Sequence, residues 1–297
     1  MNVIDQALLD ITSLKIQGAT NVALAVLDTL EALLVQTPDI SPTSLQEIGK
    51  KLANARPNEP LAQNAIRYIF FDPTNQILPK IQEFRAFIKT GKELIPENGK
   101  QLILEKGTYL TLCHSSTTVA LFQKAHESGT QFRLFVSETR PRFQGRITAK
   151  ELLDAWLTDV TMVIDSVAIA LLEEQKEKIV AVFIGADLLS DTGFVNKVGS
   201  LALAACANRH DTPVYSLSTL LKFDPRPFEP KMIETRSPDE IWENAPKNLK
   251  FFSPAFDFVP YFPNVNIICE EGIIKGDKVK DTVAKHFPFV FDIKNPA

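Results

Sequence analysis

Cysteine is scarce in this chain: Cys113, Cys206 and Cys269 are the only three in 297 residues, and no two stand close together in sequence. That spacing excludes a disulfide framework and a cysteine-rich zinc site as the basis of the fold, and it fits a reducing compartment. No apolar run reaches the roughly 20 residues that a membrane-spanning helix needs. The opening MNVIDQALLDITS has early acids and no positively charged leader before an apolar stretch. The expectation is therefore a cytoplasmic protein with no membrane partner. Excess positive charge is missing too. A formal net charge of -4 speaks against bulk electrostatic binding of nucleic acid, while leaving room for a local basic groove that takes one or two phosphates. Neither an internal repeat nor a low-complexity tract is evident. What the chain does have is 45% hydrophobic and 23% charged residues, enough to bury a large core without staples and to divide into two domains.

From Asp5 to about Ile88 apolar residues recur at helical spacing, as in Val22, Val26, Leu30 and Leu33. Proline-bearing polar stretches, QTPDISPTS, ARPNEP and FDPTNQ, punctuate the pattern and supply turns and helix starts. The segment LIPENGK, Leu94 to Lys100, reads as a boundary, giving a helical domain over 1–95 and a second domain over 96–297. In the second part short β-prone runs alternate with helical stretches. The runs are TYLTLC, FRLFVS, VTMVID, IVAVFI, TPVYSL and NVNIIC, separated by segments such as TTVALFQKAHES and TAKELLDAW. Alternation of this kind predicts an α/β fold with a Rossmann-like, doubly wound parallel sheet.

Ligands of such sheets bind beyond the carboxyl ends of the strands, where helix N-termini offer free N–H groups. Four motifs fall at predicted strand ends. In CHSSTT, Cys113 ends a strand and Ser115 and Ser116 lead into a helix. Hydroxyls and amides there suit a phosphate and the helix end favours a thiolate, whereas a buried apolar cysteine beside a capping serine is the plainer account. In ETRPRFQG, Arg140 has the fork geometry for a phosphate, or belongs to a surface charge cluster. In GAD, Asp187 is a cleft carboxylate capable of acid or base work, or a helix cap. In VNKVGS, Asn196 and Lys197 can pair with hydroxyl and phosphate groups, or Lys197 is simply solvated.

Taken together, IQGA, CHSS, ETRPRFQGRITAKEL, VIDSVA, IGAD, NKVG, LKFDP and SPAFDFVP resemble the archaeal-type ribose-1,5-bisphosphate isomerases, in order and spacing, from the first helix to the C-terminus. That family stands with methylthioribose-1-phosphate isomerase and the regulatory α, β and δ subunits of initiation factor 2B. The resemblance implies a helical N-terminal domain and a Rossmann-like C-terminal one. It makes Cys113 and Asp187 the catalytic pair, and it makes Ser115, Ser116, Arg140, Asn196, Lys197 and Lys222 substrate contacts, with the Gly18 and Ala19 backbone closing around a phosphate. In the isomerases the phosphate on C1 blocks spontaneous ring opening. An acid must then protonate the ring oxygen while a base takes the C2 proton; Asp187 suits the first role and Cys113, as an easily ionised thiol, the second. Metal and redox cofactors are not implied, since the reaction only moves protons. Expected partners are a phosphorylated ribose and further copies of the chain, as a dimer or hexamer. The alternative is a non-catalytic sensor of a nucleotide or sugar phosphate that binds a translation factor. One departure stands out: the isomerases usually carry an arginine before Gly-Ala in the first motif, where this chain has Gln17.

Overall fold

The computed structural model describes residues 2–71, 76–174 and 177–292, so residues 72–75 of the FDPTNQ turn lie outside the described residues. Five helices come first: α1 (Val3–Thr12), α2 (Ala19–Gln36), α3 (Pro42–Ala53), α4 (Pro60–Phe70) and α5 (Ile77–Gly99). The 3.6-residue periodicity of α2 places Val22, Val26, Leu27, Leu30 and Leu33 on one buried face that packs against α4. By length and composition alone α2 could cross a membrane, with 18 residues at a mean hydropathy of 1.3. Its buried stripe instead forms the centre of the helical layer. LIPENGK is helical rather than a linker: α5 runs through Pro96 and ends at Gly99. A proline removes one helical hydrogen bond, and here Ile95, Pro96 and Gly99 are all buried where α5 meets the helix Ser116–Glu127 and the strand Val265–Cys269. A Cβ on Gly99 would stand 2.6 Å from Leu121 Cδ1, so this closeness depends on glycine.

Beyond α5 come β1 (Thr108–Leu112), α6 (Ser116–Glu127), β2 (Arg133–Ser137), α7 (Gln144–Asp154), β3 (Val160–Val163), α8 (Asp165–Glu174), β4 (Ile179–Gly185), β5 (Leu188–Leu189), β6 (Gly193–Lys197), α9 (Ser200–Arg209), β7 (Val214–Leu217), β8 (Phe256–Pro260), β9 (Val265–Cys269), β10 (Gly272–Lys275) and α10 (Val279–His286). The main sheet has the order β10-β9-β7-β4-β1-β2-β3, and all its pairs are parallel except β9 with β10. The inner strands are covered on both faces, which is why they read as unbroken apolar runs. Tyr109, Phe122, Phe183 and Tyr215 interlock in their core with ring centroids 5.2–6.5 Å apart. A second sheet, β5-β6-β8, is antiparallel and was not foreseen; it incorporates the FDFVP part of the C-terminal aromatic run.

The order of the main sheet locates the ligand crevice. From β1 the chain moves outward to β2 and β3, then returns to place β4 on the other side of β1. The join between β1 and β4 is thus the topological switch point, and the space beyond the carboxyl ends of those two strands is the natural crevice.

Candidate active site

Cys113 and Asp187 flank this crevice. Thr111 pairs with Phe183 across β1 and β4, which puts Cys113 and Gly185 at matching heights two residues further on. Cys113 lies one residue beyond the strand instead of ending it, in the left-handed region at φ 71°. Neighbouring turns hold it there. Its N–H donates to Thr139 Oγ1 (2.8 Å) and its carbonyl accepts from Thr148 Oγ1 (2.8 Å). Thr139 is itself left-handed, at φ 65°, and the Asp165 carboxylate at the start of α8 accepts from its N–H and from that of Arg140, both at 2.8 Å. Strained non-glycine backbone held by its surroundings is characteristic of functional sites. Gly145 completes the arrangement, because a Cβ there would lie 1.8 Å from the Ser137 carbonyl oxygen.

The motifs converge at one contact. A Cβ on Gly185 would meet Ser115 Cβ at 2.9 Å and Ser115 Oγ at 3.0 Å, with Asn196 Oδ1 at 3.9 Å. CHSS, GAD and NK therefore share one small volume. Ser115 is also the N-cap of α6, accepting from the Thr118 N–H, and Ser116 is the exposed first residue of that helix. Asp187, half-buried, is pinned by its N–H to the Val195 carbonyl (2.8 Å). Asn196 donates to Ser200 Oγ (2.9 Å), and Ser200 Oγ donates in turn to the Lys197 carbonyl (2.6 Å). Lys197 is 8% exposed, with Nζ 4.9 Å from the centre of the Phe256 ring. It is a buried cation on an aromatic face, not a solvated one. Lys222 sits in a short turn, Leu220–Lys222, and donates to the Ala186 carbonyl at 2.6 Å.

Electrostatics correct one expectation. Burial pushes the Cys113 thiol up to about 12, the Asp187 carboxylate pushes it the same way, and Lys197 opposes them. Cys113 is therefore a thiol and not an easily ionised thiolate, since removing a thiolate from water outweighs one nearby cation. Burial also lowers the pKa of Lys222, against the pull of Asp187 and Glu59.

Two predicted contacts stand apart from this cluster. Arg140 is exposed; its guanidinium donates to the Ile241 carbonyl (2.9 Å) and lies 5.0 Å from the centre of the Phe143 ring. Gly18 is the N-cap of α2 at φ 83° with open space where a Cβ would be, and Ala19 is the buried first residue of that helix. Their free N–H groups can meet an anion. Gln17 is exposed and donates to the Leu14 carbonyl (2.6 Å).

Residues of ARPNEP, read from sequence only as a turn, prove to be part of the charged site. Arg56, Asn58 and Glu59 are 8%, 6% and 2% exposed. Glu59 and Glu234 each lie 3.2 Å from Arg56. Glu59 is pushed up to about 7, first by burial and then by the Asp187 and Glu234 carboxylates, against the Arg56 and Lys222 cations. It thus shares an electrostatic field with Asp187 and Lys222. No periodicity marks these residues; their burial comes from the helical layer closing on the sheet. A separate trio, Glu173, Cys206 and His210, brings potential metal-ligand atoms within 4.8 Å of one another. It lies at the C-terminal ends of α8 and α9, hence at the opposite edge of the sheet, and Arg209 donates to the same Glu173 oxygen at 2.8 Å.

The chain is similar to proteins across the superfamily. It is 29% identical to a ribose 1,5-bisphosphate isomerase of Methanocaldococcus jannaschii, covering 97% of this chain and 96% of that protein. It is 32% identical to a methylthioribose-1-phosphate isomerase of Thermotoga petrophila, covering 78% of this chain and 74% of that one. Among solved structures, a translation initiation factor eIF-2B of Pyrococcus horikoshii superposes with a TM-score of 0.78 at 22% identity, covering 92% of this chain and 96% of its own. That likeness speaks for the fold: a helical N-terminal part followed by a Rossmann-like sheet. The model of the Initiation factor 2 subunit family matches residues 15–276, and the chain belongs to that family.

Proposed function

We propose that this chain is a sugar-phosphate isomerase that converts a 1-phosphorylated ribose from aldose to ketose, with ribose 1,5-bisphosphate giving ribulose 1,5-bisphosphate. The observation that carries the reading is the packing of Ser115 on Gly185 beside Asn196, which gathers Cys113, Asp187 and Lys197 at the switch point. The names of the relatives at 29% identity support the bisphosphate as substrate.

In this role Asp187 delivers a proton to the ring oxygen as the ring C1–O bond breaks, and Cys113 takes the proton from C2. Returning that proton to C1, with the O2 hydroxyl proton going back to Asp187, completes the aldose–ketose exchange with no net gain or loss of atoms or electrons. The two protonation states are coupled. The Asp187 carboxylate is one cause of the high Cys113 pKa, so a protonated Asp187, ready to act as acid, removes a penalty on the thiolate. The substrate phosphate brings the opposite effect, and Lys197 is placed to offset it. Self-association fits the exposed apolar residues Trp156, Met162, Ile164 and Val167 on and around edge strand β3, a surface that a second copy would cover. The location consistent with this chemistry is the cytoplasm.

Gln17, standing where the isomerases usually carry an arginine, favours a second reading, a family member that binds a sugar phosphate or nucleotide without converting it and signals to a translation factor. One experiment separates the two: purified protein is incubated with ribose 1,5-bisphosphate and followed by NMR. Appearance of the ketose is the expected result. Tight binding with no ketose from this sugar or from ribose 1-phosphate overturns the isomerase reading.

A further inference from the structure

Glu270 stands at the ligand edge of the sheet, as Cys113 and Asp187 do, but takes no part in the proton transfers. It immediately follows β9 and is partly buried. Its backbone is tied to the helical layer, because Asn98 on α5 donates to the Cys269 carbonyl (2.9 Å) and to the Glu270 carbonyl (3.2 Å). Its side chain turns to the segment that leaves β7, the parallel neighbour of β9. There Glu270 Oε1 accepts from Thr219 Oγ1 (2.8 Å), and the two carboxylate oxygens accept from the Leu220 N–H at 3.2 and 3.1 Å.

What these bonds hold is the turn Leu220–Lys222. Thr219 is its N-cap: the hydroxyl that donates to Glu270 also accepts from the Leu221 N–H (3.2 Å), and the Thr219 carbonyl accepts from the Lys222 N–H (3.1 Å). Leu220 and Leu221 are fully buried, so a Leu220 N–H deprived of its acceptor is costly and the turn must shift to find another. Lys222, the last residue of the turn, would move with it. A lysine on its long flexible stem reaches one carbonyl reproducibly only when its backbone is fixed; here Lys222 Nζ donates to the Ala186 carbonyl, next to Asp187, at 2.6 Å. The acids whose charge acts on Lys222 are Asp187 and Glu59. The tie from Glu270 runs instead through the backbone, by hydrogen bonds.

We propose that Glu270 is a positioning residue for Lys222: its carboxylate sets the Leu220–Lys222 turn by way of Thr219 and Leu220, and so holds the lysine ammonium against the chain that carries Asp187. This rests on the reading of the chain as a sugar-phosphate isomerase in which Lys222 meets the substrate. Glu270 itself touches no substrate; what the substrate feels is the place of the lysine.

A double-mutant cycle on the full chain tests this, with kcat and KM for ribose 1,5-bisphosphate measured beside thermal unfolding. Glu270→Leu removes both acceptors and, at a temperature where the variant is folded, lowers kcat/KM about 30-fold, the scale expected when a contact is displaced. Glu270→Gln keeps an acceptor for the Thr219 hydroxyl and the Leu220 N–H, and stays within about threefold of the wild type. In a Lys222→Met background Glu270→Leu costs less than about twofold more, because effects that pass through one residue do not add. If Glu270→Leu does not fold, Thr219→Val takes its place: it removes the hydroxyl that joins Glu270 to the turn, lowers kcat/KM about fivefold, and loses that effect once Lys222→Met is present. A purely structural carboxylate gives a different pattern, with undiminished kcat/KM in folded Glu270→Leu or with losses that multiply with that of Lys222→Met. Either outcome overturns the proposal, as does a Glu270→Gln variant as impaired as Glu270→Leu. If the wild type forms no ketose, the isomerase reading fails by itself, and the same cycle read in calorimetric affinity for ribose 1,5-bisphosphate decides for Glu270 by the same criteria. A wild type that neither converts nor binds this sugar overturns both.

Discussion

Glu59→Gln makes a prediction about stability that does not depend on any function. The folded protein holds this carboxyl at about 7, against an ordinary value of 4.5, chiefly because burial penalises the charged form. Between those two pH values the folded chain binds more protons at this site than the unfolded chain does, so stability must fall as pH rises through the window. The fall begins near 4.5 and is complete just above 7. At about 1.4 kcal/mol per pH unit the whole change amounts to about 3 kcal/mol. Glutamine nearly preserves the shape and cannot ionise, so the variant loses this component of the pH dependence. Urea unfolding of both proteins at half-unit steps from pH 4 to pH 8 gives the difference curve. The variant should gain about 3 kcal/mol on the wild type across that range, superimposed on a constant offset from the altered contact with Arg56. A difference curve flat to within about 0.5 kcal/mol would refute the reasoning, because Glu59 would then be as well solvated as any surface carboxylate.

Other consequences follow from the same geometry. Gly185→Ala adds a Cβ 2.9 Å from that of Ser115; overpacking of this kind costs about 1–3 kcal/mol, and shifting the CHSS turn should lower turnover on the order of 100-fold, as measured by a product assay alongside thermal unfolding. Alkylation of Cys113 at pH 8 should be slow in the wild type and faster in Asp187→Asn, because the carboxylate is one of the groups raising the thiol; equal rates by mass spectrometry would show that the two groups are not coupled. Replacing Asn64 with leucine strips hydrogen bonds from the carbonyls of Leu221 and Phe223; unpaired buried carbonyls cost about 1–3 kcal/mol each, so urea unfolding should show a loss well above that of a surface substitution.

The main sheet was legible because parallel strands buried on both faces leave unbroken apolar runs such as IVAVFI and FRLFVS. The strand ends offered Cys113 and Asp187 as candidates beside a plainer account of each, and it was the family resemblance that paired them. The small antiparallel sheet escaped notice for the opposite reason. β5 has two residues, and β6 contains Asn196 and Lys197, polar residues buried only because Phe256 and Ser200 pack around them. LIPENGK read as a boundary, and most of it belongs to α5, which runs through Pro96 to Gly99. Arg140 was placed with the substrate by its motif, but its guanidinium reaches the Ile241 carbonyl, a contact between residues 101 positions apart that no local pattern encodes.

Glu59 was the hardest residue to anticipate, and its position explains how the helical layer takes part in the chemistry. It is the N-cap residue of α4, where the free N–H groups and the helix dipole favour a negative charge. Its pKa nevertheless rises, so burial and the neighbouring carboxylates outweigh the helix end. The same helix carries Asn64 five residues later, fully buried, donating to the Leu221 carbonyl at 2.7 Å and the Phe223 carbonyl at 2.8 Å while Arg67 donates to its own oxygen at 2.6 Å. Those two carbonyls flank Lys222, and Lys222 in turn reaches the Ala186 carbonyl next to Asp187. One helix therefore supplies a carboxyl to the charged site and fixes the turn that places the lysine between that carboxyl and Asp187. Displacing α4 from the sheet would separate Glu59, Lys222 and Asp187 together, so the site exists only when the two layers are packed, and no segment of the sequence contains it alone.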